Sequence, residues 1–339
     1  MKLSSPPTRW ASTSVVAAAM KYGPTRVSRI AYELDMPVET CRYYLKRFYS
    51  AGFRFLPVVD YRALGLSPHV AFIRFSKQID GKKRENFLRW LDSVYVVYRA
   101  SLNQEHEYML EVVPPKSDAK TYAEMLTILQ ESNVLEYYLL NELIDGYYKP
   151  EWVKVYDFIK ECWVMEPTEV EIPSIPLCFN KGRTRFDKVD LIILQELEME
   201  TTTKMKKISK EYKISPQLLS YHRERHIEGS KLITGYVPFR RTAQEDVQYG
   251  LLNIPGNFAY QKVVMNPYLH TVWMTKHGCI LRLHIPKWLE PTYTYPIYYI
   301  NAYEVVMFTI PTEHFTDEQW TDMNVFLEEL EQLVRTLTT

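Results

Sequence analysis

The spacing of apolar and polar positions predicts three short helices and an extended segment at the start of the chain. The helices are expected at residues 8–22, 24–34 and 38–50, and the extended segment at 53–59. In the third helix Cys41, Leu45 and Phe48 form one apolar face and leave the basic residues on the other faces. Three helices with a tight turn and a following strand predict a winged helix-turn-helix.

The same plan recurs further along the chain. Helices are expected at residues 186–199, 204–212 and 217–227, and a wing at 229–241. Setting Met36 on Ile214 aligns the two turns at an offset of 178 residues. An internal repeat of this length indicates duplicated domains rather than a solenoid.

The segments after the two wings alternate between strand and helix periods. The first segment has strands at 69–75, 94–101, 106–113 and 134–143 and helices at 82–92 and 119–132. This order predicts a β-α-β-β-α-β unit. The second segment has strands at 268–275, 278–285 and 297–310 and a helix at 316–337. Its first helix is missing or degraded near Pro255-Gly256, so we interpret this segment as a diverged copy.

Charge follows the same division of the chain. Residues 1–55 and 181–241 each carry a net charge of +6, whereas residues 56–180 and 242–339 each carry −6. The blocks cancel over the 339 residues, which hides the pattern in the overall composition. A local positive field can hold a phosphate backbone even when the whole molecule is neutral, so the basic blocks predict two DNA-contacting heads.

The first head presents candidate DNA-binding residues on and around its third helix. Those near the N-terminal end of that helix would face base edges: Glu39, Thr40, Arg42 and Tyr43. Those nearer to phosphates would be Arg26, Arg29, Lys46, Arg47 and Arg54. Arg42 is the expected guanine contact, an interaction worth about 1–3 kcal/mol of discrimination. The alternative for these residues is an ordinary solvated helix face.

The second head offers a parallel set of candidates. They are Lys204, Lys206, Lys207, Ser215, Gln217, Ser220, Tyr221, Arg223, Arg225 and Lys231. Because Arg42 and Tyr43 align with Ser220 and Tyr221, the two recognition helices differ and predict an asymmetric DNA site.

Two stretches of the chain resemble the Lrp/AsnC family of prokaryotic regulators. Residues 36–52 read MPVETCRYYLKRFYSAG, similar to the family's "LSPSTVSRRIKRLEESG". Residues 58–66 read VVDYRALGL and resemble its "VVDYEALGL" linker strand more specifically. The second copy reads ISPQLLS at 214–220 and then diverges.

This resemblance implies a ferredoxin-like regulatory domain after each head, used for oligomerisation and often for amino-acid binding. The expected fold class is therefore α+β, with two winged helix-turn-helix domains, each followed by a ferredoxin-like domain. The expected boundaries are 1–60 and 181–245 for the heads, 61–146 and 246–339 for the ferredoxin-like domains, and 147–180 for a Pro-containing linker. A homodimer through the ferredoxin-like domains, or a single-chain pseudo-dimer, would be consistent with this plan.

An effector pocket is expected, by the same resemblance, near the loop at residues 102–107. Asn103, Gln104 and His106 are its candidate ligands, although the loop has no glycine, unlike the family's usual sequence. An ordinary polar hairpin turn is the alternative interpretation.

The main functional hypothesis is a sequence-specific transcriptional regulator that binds double-stranded DNA and is not an enzyme. A protein that bridges DNA without sequence preference is one alternative. An enzyme similar to siroheme decarboxylases, which share the tandem architecture, is another, because His270, His277 and His284 recur at a spacing of seven across two strands. An Arg/His-rich signature that we associate with those enzymes is not apparent after the wing.

Other classes lack sequence support. The four cysteines are scattered without zinc-ligand spacing, and no GxGxxG, P-loop, HExxH or GxSxG motif occurs. No cofactor and no metal site is therefore expected. No apolar run approaches the length of a membrane span, so we expect a cytoplasmic, nucleoid-associated protein without a membrane partner.

Overall fold

The first head has the three helices and the strand that the apolar spacing predicts. The computed structural model describes residues 8–102, 105–178, 184–240, 247–255, 267–286, 298–307, 309, 312–316 and 319–338. Helices α1 (Thr8–Tyr22), α2 (Val27–Glu33) and α3 (Val38–Ser50) precede strand β1 (Phe53–Val59). Phe48 is fully buried on α3 and stacks on Phe55 of β1 with ring centroids 4.5 Å apart. The strand is thereby held against α3, the predicted recognition helix.

The second head repeats this order with one difference in its last helix. Its elements are α6 (Lys188–Met199), α7 (Met205–Tyr212), α8 (Pro216–Tyr221) and β10 (Ile233–Arg240). Ser215 caps α8 by accepting a hydrogen bond from the backbone N–H of Leu218 at 3.2 Å. The helix then continues as a π-helical segment, His222–Glu228, in which each hydrogen-bonded loop is one residue longer than in an α-helix.

A ten-stranded sheet joins the two halves of the chain. In the first half it contains β2 (His69–Phe75), β3 (Val96–Leu102), β4 (Glu107–Val112), β5 (Leu135–Glu142), β6 (Asp145–Tyr148) and β9 (Ile175–Pro176). In the second half it contains β11 (Val247–Pro255), β12 (Leu269–Thr275), β13 (Gly278–Pro286) and β14 (Tyr298–Met307). The spatial order is β5-β2-β4-β3-β14-β11-β13-β12-β6-β9.

This order contains the same four-strand arrangement twice. The sets β5-β2-β4-β3 and β14-β11-β13-β12 each place the fourth, first, third and second strand of a unit side by side. The two sets meet where β3 pairs with β14, so a single sheet runs through both. Strand β6 continues the sheet beyond β12.

Helices of both halves pack beside one another. The first unit has α4 (Gly81–Asp92) and α5 (Ala119–Glu131) at its predicted crossover positions. Next to α5 lies α9 (Met323–Thr338), which follows the fourth strand of the second unit. The degraded helix expected after Pro255 would fall at residues 256–266, outside the described residues. Among the described helices, none has the length and apolar character needed to cross a membrane.

The strands at the two predicted wings pair with each other. Strands β1 and β10 form an antiparallel two-stranded sheet in which Phe53 faces Arg240 and Val58 faces Gly235. Thr201, at the end of α6, also donates a hydrogen bond to the carbonyl of Phe55. The two predicted heads are therefore joined directly through β1 and β10.

The Pro-containing stretch between the halves is packed into the first head. It forms a 3-10 turn (Glu151–Val155) and the short hairpin β7 (Tyr156–Asp157) and β8 (Cys162–Trp163). Trp152 and Phe158 are fully buried in the same core as α1 and α3. This finding contrasts with the spacer expected from the prolines, because aromatic residues in the stretch bury more surface than a solvated linker allows.

Candidate active site

A cavity lies between the paired wings and the large sheet. Its volume is about 770 Å³, within the range of small-molecule binding sites. Strands β1 and β10 supply one wall, the end of α6 supplies another, and the sheet supplies the floor. Its charged and histidine side chains are Arg54, His69, Glu111, Asp145, Glu198, Glu200, Lys207, His270 and Arg282.

An arginine and a glutamate meet on the floor of the cavity. Arg282 of β13 is 4% exposed, and its Nη1 lies 3.7 Å from Oε1 of Glu111. The guanidinium also lies over the ring of Tyr98, 4.7 Å from its centroid. Burial raises the pKa of Glu111 to about 7, although the positive charge of Arg282 opposes the shift. Glu111 can therefore gain and lose a proton near neutral pH.

Two neutral histidines lie beside this pair. His270 of β12 and His284 of β13 are both buried. Burial lowers the pKa of His270 well below its usual value, and the charge of Arg282 adds to this effect. The pKa of His284 is lowered for the same reasons, with His270 contributing. His270 Nδ1 lies 2.6 Å from Oγ1 of Thr271, which orients the imidazole that reaches the cavity.

Aromatic groups complete the floor around His270. The ring of Tyr148 meets His270 edge-on, with centroids 5.7 Å apart. Burial raises the pKa of Tyr148, so its hydroxyl stays protonated. The indole N–H of Trp273 is buried, and no hydrogen-bond acceptor contacts it among the described residues. The floor therefore offers hydrogen-bond donors within an apolar surround.

The wing side of the cavity carries further cations. Arg54, predicted as a phosphate contact, is half-buried here, and its Nη1 donates to the carbonyls of Tyr49 at 3.1 Å and Phe53 at 2.7 Å. Lys207, also predicted to bind DNA, lies 3.3 Å from Oε2 of Glu196 and borders the same cavity. Two of the predicted DNA ligands thus belong to the cavity wall.

The remaining candidates of the first head divide into exposed and internally bonded side chains. Arg42, Tyr43 and Lys46 are exposed on α3, as expected, and Arg42 pairs with Glu39, also exposed. Thr40 is half-buried on the same helix.

The three remaining arginines of the first head form contacts within the protein. Arg26 pairs with Glu228 of the second head, and Arg29 lies 3.8 Å from Glu33. Arg47 is half-buried and donates to the carbonyl of Ile159 at 2.7 Å.

Most candidates of the second head lie on its surface. The exposed ones are Lys204, Lys206, Ser215, Gln217, Ser220, Tyr221, Arg225 and Lys231. Arg223 is half-buried, with Nε 3.4 Å from Oε1 of Glu228. A separate group of side chains, Asp187, Asp190, His222 and His226, converges beneath this surface.

Of the three predicted effector residues, only His106 lies within the described part of the chain. Asn103 and Gln104 lie outside the described residues. His106 lies on the turn before β4, where its Nδ1 is 2.5 Å from Nη1 of Arg84. It is not among the residues that line the cavity.

The histidine spacing was the one sequence signal that pointed toward the cavity. His270 and His284 do meet, whereas His277 is exposed on the turn between β12 and β13. Glu111, Arg282 and Tyr148 were missed, because they come from distant parts of the chain and form no motif.

Comparison with known proteins gives a likeness in structure alone. No family model matches the chain, and no curated protein matches it. The crystal structure of the siroheme decarboxylase NirDL is similar with a TM-score of 0.52 and 10% identity, covering 97% of this chain and 100% of that one. Its co-complex with an iron-uroporphyrin III analogue gives the same TM-score and identity, covering 95% of this chain and 99% of that one.

Escherichia coli AsnC is similar over a smaller part, with a TM-score of 0.30 and 15% identity, covering 40% of this chain and 90% of that one. The expectation that this chain is not an enzyme is contradicted by the full-length match, because that match is to an enzyme. The chain shares, from end to end, the mixed helix and sheet fold of a siroheme decarboxylase.

Proposed function

We propose that this protein is an enzyme that binds an anionic tetrapyrrole in the cavity and removes carboxyl groups from it as CO2. The observation that carries the proposal is the placement of Arg282, Glu111 and His270 together on the floor of a cavity of about 770 Å³. The full-length likeness to a siroheme decarboxylase whose co-complex holds an iron-uroporphyrin III analogue supports this choice of substrate class.

The proposed architecture is the one that the sequence resemblance implies. Two winged helix-turn-helix heads and two ferredoxin-like units follow one another in a single chain, with boundaries near those expected. The repeated strand order supports the ferredoxin-like units, and the β1–β10 pairing supports the wings. In this arrangement the heads close the cavity instead of standing apart.

Arg282 would bind a substrate carboxylate. A guanidinium forms strong, charge-assisted hydrogen bonds to carboxylates, and a buried one does so with little competition from water. Its stacking over Tyr98 restricts its position before substrate arrives. The indole N–H of Trp273 and the imidazole of His270 offer further donors in the same wall.

Glu111 would supply the proton that decarboxylation requires. When the bond between the side-chain methylene and the carboxyl carbon breaks, CO2 leaves and the bonding electron pair stays on the methylene carbon. That carbon takes a proton from the carboxyl group of Glu111 and becomes a methyl group. Glu111 is then reprotonated from solvent, which its pKa of about 7 permits at neutral pH.

The proposal is tested by incubating the purified protein with siroheme under anaerobic conditions. Binding is followed by the change in the tetrapyrrole absorbance, and loss of CO2 by mass spectrometry of the extracted pigment. We expect His270→Ala to weaken both, whereas His277→Ala, a change on an exposed turn, should leave both unaltered. A folded wild-type protein that neither binds nor decarboxylates siroheme would exclude this function.

DNA binding is a second candidate, favoured by the exposed basic surface of the second head. Lys204, Lys206, Lys210, Lys213 and Arg225 are all exposed there. Removing one phosphate-binding side chain should reduce the slope of log affinity against log salt by about 0.9. Fluorescence anisotropy with Lys206→Ala/Lys210→Ala, compared with Lys77→Ala on an acidic part of the chain, measures that slope. Equal slopes for both variants would exclude this surface as a DNA-binding surface.

A further inference from the structure

Two aspartates and two histidines converge inside the second head, away from the cavity. Asp187 and Asp190 lie at the start of α6, and His222 and His226 lie four residues apart in the π-helical segment. One ligand atom from each side chain can be chosen so that all four lie within 4.8 Å of one another. The two elements are not neighbours in sequence, so the fold itself assembles the group.

The separations within this group bracket those around a small tetrahedral ion. His222 Nδ1 lies 2.8 Å from Oδ1 of Asp190 and 3.6 Å from Oδ1 of Asp187, and His226 Nδ1 lies 3.0 Å from Oδ2 of Asp190. Zinc–ligand bonds of about 2.0–2.2 Å place neighbouring ligand atoms about 3.3–3.6 Å apart in a tetrahedron. The separations in the group run from 2.8 Å up to at most 4.8 Å, so the contacts to Asp190 would lengthen and the widest ones would shorten around an ion.

The local structure fixes the carboxylates in place. Asp187 accepts hydrogen bonds from the backbone N–H groups of Val189 and Asp190, and its own N–H donates to Oδ2 of Asp190 at 3.0 Å. This reciprocal capping box holds both carboxylates at the start of α6. Hydrogen bonds of this kind orient metal ligands and strengthen binding.

Burial gives the group both an interior and an entrance. The side chain of Asp190 is 0% exposed and that of His222 is 6% exposed, so they exclude water. Asp187 and His226 are 44% and 25% exposed, which gives an ion a path from solvent. Nitrogen and oxygen donors in this combination suit zinc and similar divalent ions.

We propose that Asp187, Asp190, His222 and His226 bind one zinc-like divalent cation. The ion would join the π-helical segment to the first turn of α6 and so fix the helix that carries the exposed Tyr221 and Arg225. This site is separate from the cavity and does not depend on the proposed enzymatic function. The competing arrangement is a hydrogen-bonded network in which both imidazoles donate to Asp190.

Calorimetric titration with Zn²⁺ distinguishes these two arrangements. Full-length protein is first treated with a chelator and dialysed, without any tetrapyrrole present. We expect one equivalent of Zn²⁺ per chain to bind and to raise the melting temperature. His222→Gln and His226→Gln should each weaken binding by roughly 100-fold or more, because removing a ligand costs more than removing one of its supporting hydrogen bonds.

His277→Gln is the matched control, because it removes an exposed histidine outside the group. It should bind Zn²⁺ as the wild type does. Circular dichroism of each chelated variant shows whether it is folded, and His226→Gln, at a half-exposed position, tests the site even if His222→Gln unfolds. Folded wild type that binds no Zn²⁺, or binds it no more tightly than folded His226→Gln, would overturn the metal site and favour the hydrogen-bonded network.

Discussion

The imidazoles of His270 and His284 stack with their centroids 4.4 Å apart and their planes at 22°. The indole of Trp152 also stacks on His284, with centroids 5.2 Å apart and planes at 30°. These three rings connect the stretch at residues 147–180, which contains Trp152, to the floor of the cavity, which contains His270. Because burial lowers the pKa of both histidines, the stacked pair is uncharged at neutral pH.

The neutral pair predicts a loss of stability in acid. The unfolded chain binds protons at the ordinary histidine pKa of 6.5, whereas the folded pair does so only at lower pH. The stabilising contribution is therefore present above pH 6.5 and is lost as pH falls through the folded values. In urea unfolding at several pH values, His284→Phe should show a smaller loss below pH 6.5 than the wild type. If the unfolding free energies of the two proteins fell in parallel with pH, His284 would not be a source of the acid sensitivity.

Replacement of Glu111 should separate catalysis from binding. Glu111→Gln keeps the shape of the side chain but cannot deliver a proton, so we expect a 100-fold or greater loss of decarboxylation rate with binding retained. The wild-type rate should fall as pH rises through about 7, where Glu111 loses its proton. Single-turnover assays at several pH values measure the loss of rate in Glu111→Gln and the pH dependence of the wild type. Glu131→Gln, at an exposed position, is the control. An unchanged rate in Glu111→Gln would assign the proton to another group.

The same carboxyl group should also affect stability with the opposite sign to the histidines. Its folded pKa of about 7 lies above its ordinary value of 4.5. Its contribution is therefore full below pH 4.5 and is lost as pH rises to about 7. The unfolding free energy of the wild type, relative to that of Glu111→Gln, should fall over this interval by on the order of 1–3 kcal/mol. A constant difference would contradict the raised pKa.

Arg282 should determine substrate affinity. Arg282→Met retains much of the side-chain volume but removes the charge, and hydrogen bonds to charged groups contribute about 1.5–3 kcal/mol. We expect siroheme binding to weaken by roughly 10–100-fold in absorbance titrations. Arg89→Met, on the exposed face of α4, should bind as the wild type does. Equal affinity for the two variants would place carboxylate recognition elsewhere in the cavity.

The paired wings should be sensitive to a single added methyl group. At Gly235 in β10, a Cβ atom would lie 2.6 Å from Cγ2 and 2.7 Å from Cδ1 of buried Ile175. Gly235→Ala should lower the unfolding free energy by about 1–3 kcal/mol through overpacking. Gly81→Ala, where the nearest atom is 3.9 Å away, should be neutral or slightly stabilising. Denaturant curves that coincide for the two variants would refute tight packing at the wings.

Trp152 tests whether the stretch at 147–180 is part of the core. Its side chain is 1% exposed and stacks on Phe53 with centroids 5.4 Å apart. Trp152→Ala should lower the unfolding free energy by about 3–5 kcal/mol, as for other buried aromatic residues. Trp10→Ala, at a 36% exposed position, should have a much smaller effect. A small effect at Trp152 would instead be consistent with a solvated linker.

The local elements could be predicted from the amino-acid order alone, because they depend on residues close together in the chain. The helical spacing of Cys41, Leu45 and Phe48 and the proline and glycine positions place α1, α2 and α3 almost where the structure has them. Strand alternation did the same for the first β-α-β-β-α-β unit. The Lrp/AsnC-like segments also indicated a duplication, and the repeated strand order is consistent with it.

The residues that share a site could be identified only from the folded chain. Glu111 and Arg282 are separated by about half of the chain and lie on strands that are not neighbours in the sheet, yet their side chains come within 3.7 Å of each other in the folded protein. Arg54 and Lys207 were predicted as DNA contacts because their charge is visible in the sequence, whereas their position at the border of a cavity appears only in the folded chain. Long-range strand pairing and the burial of charge depend on the whole fold, and a local sequence pattern does not encode them.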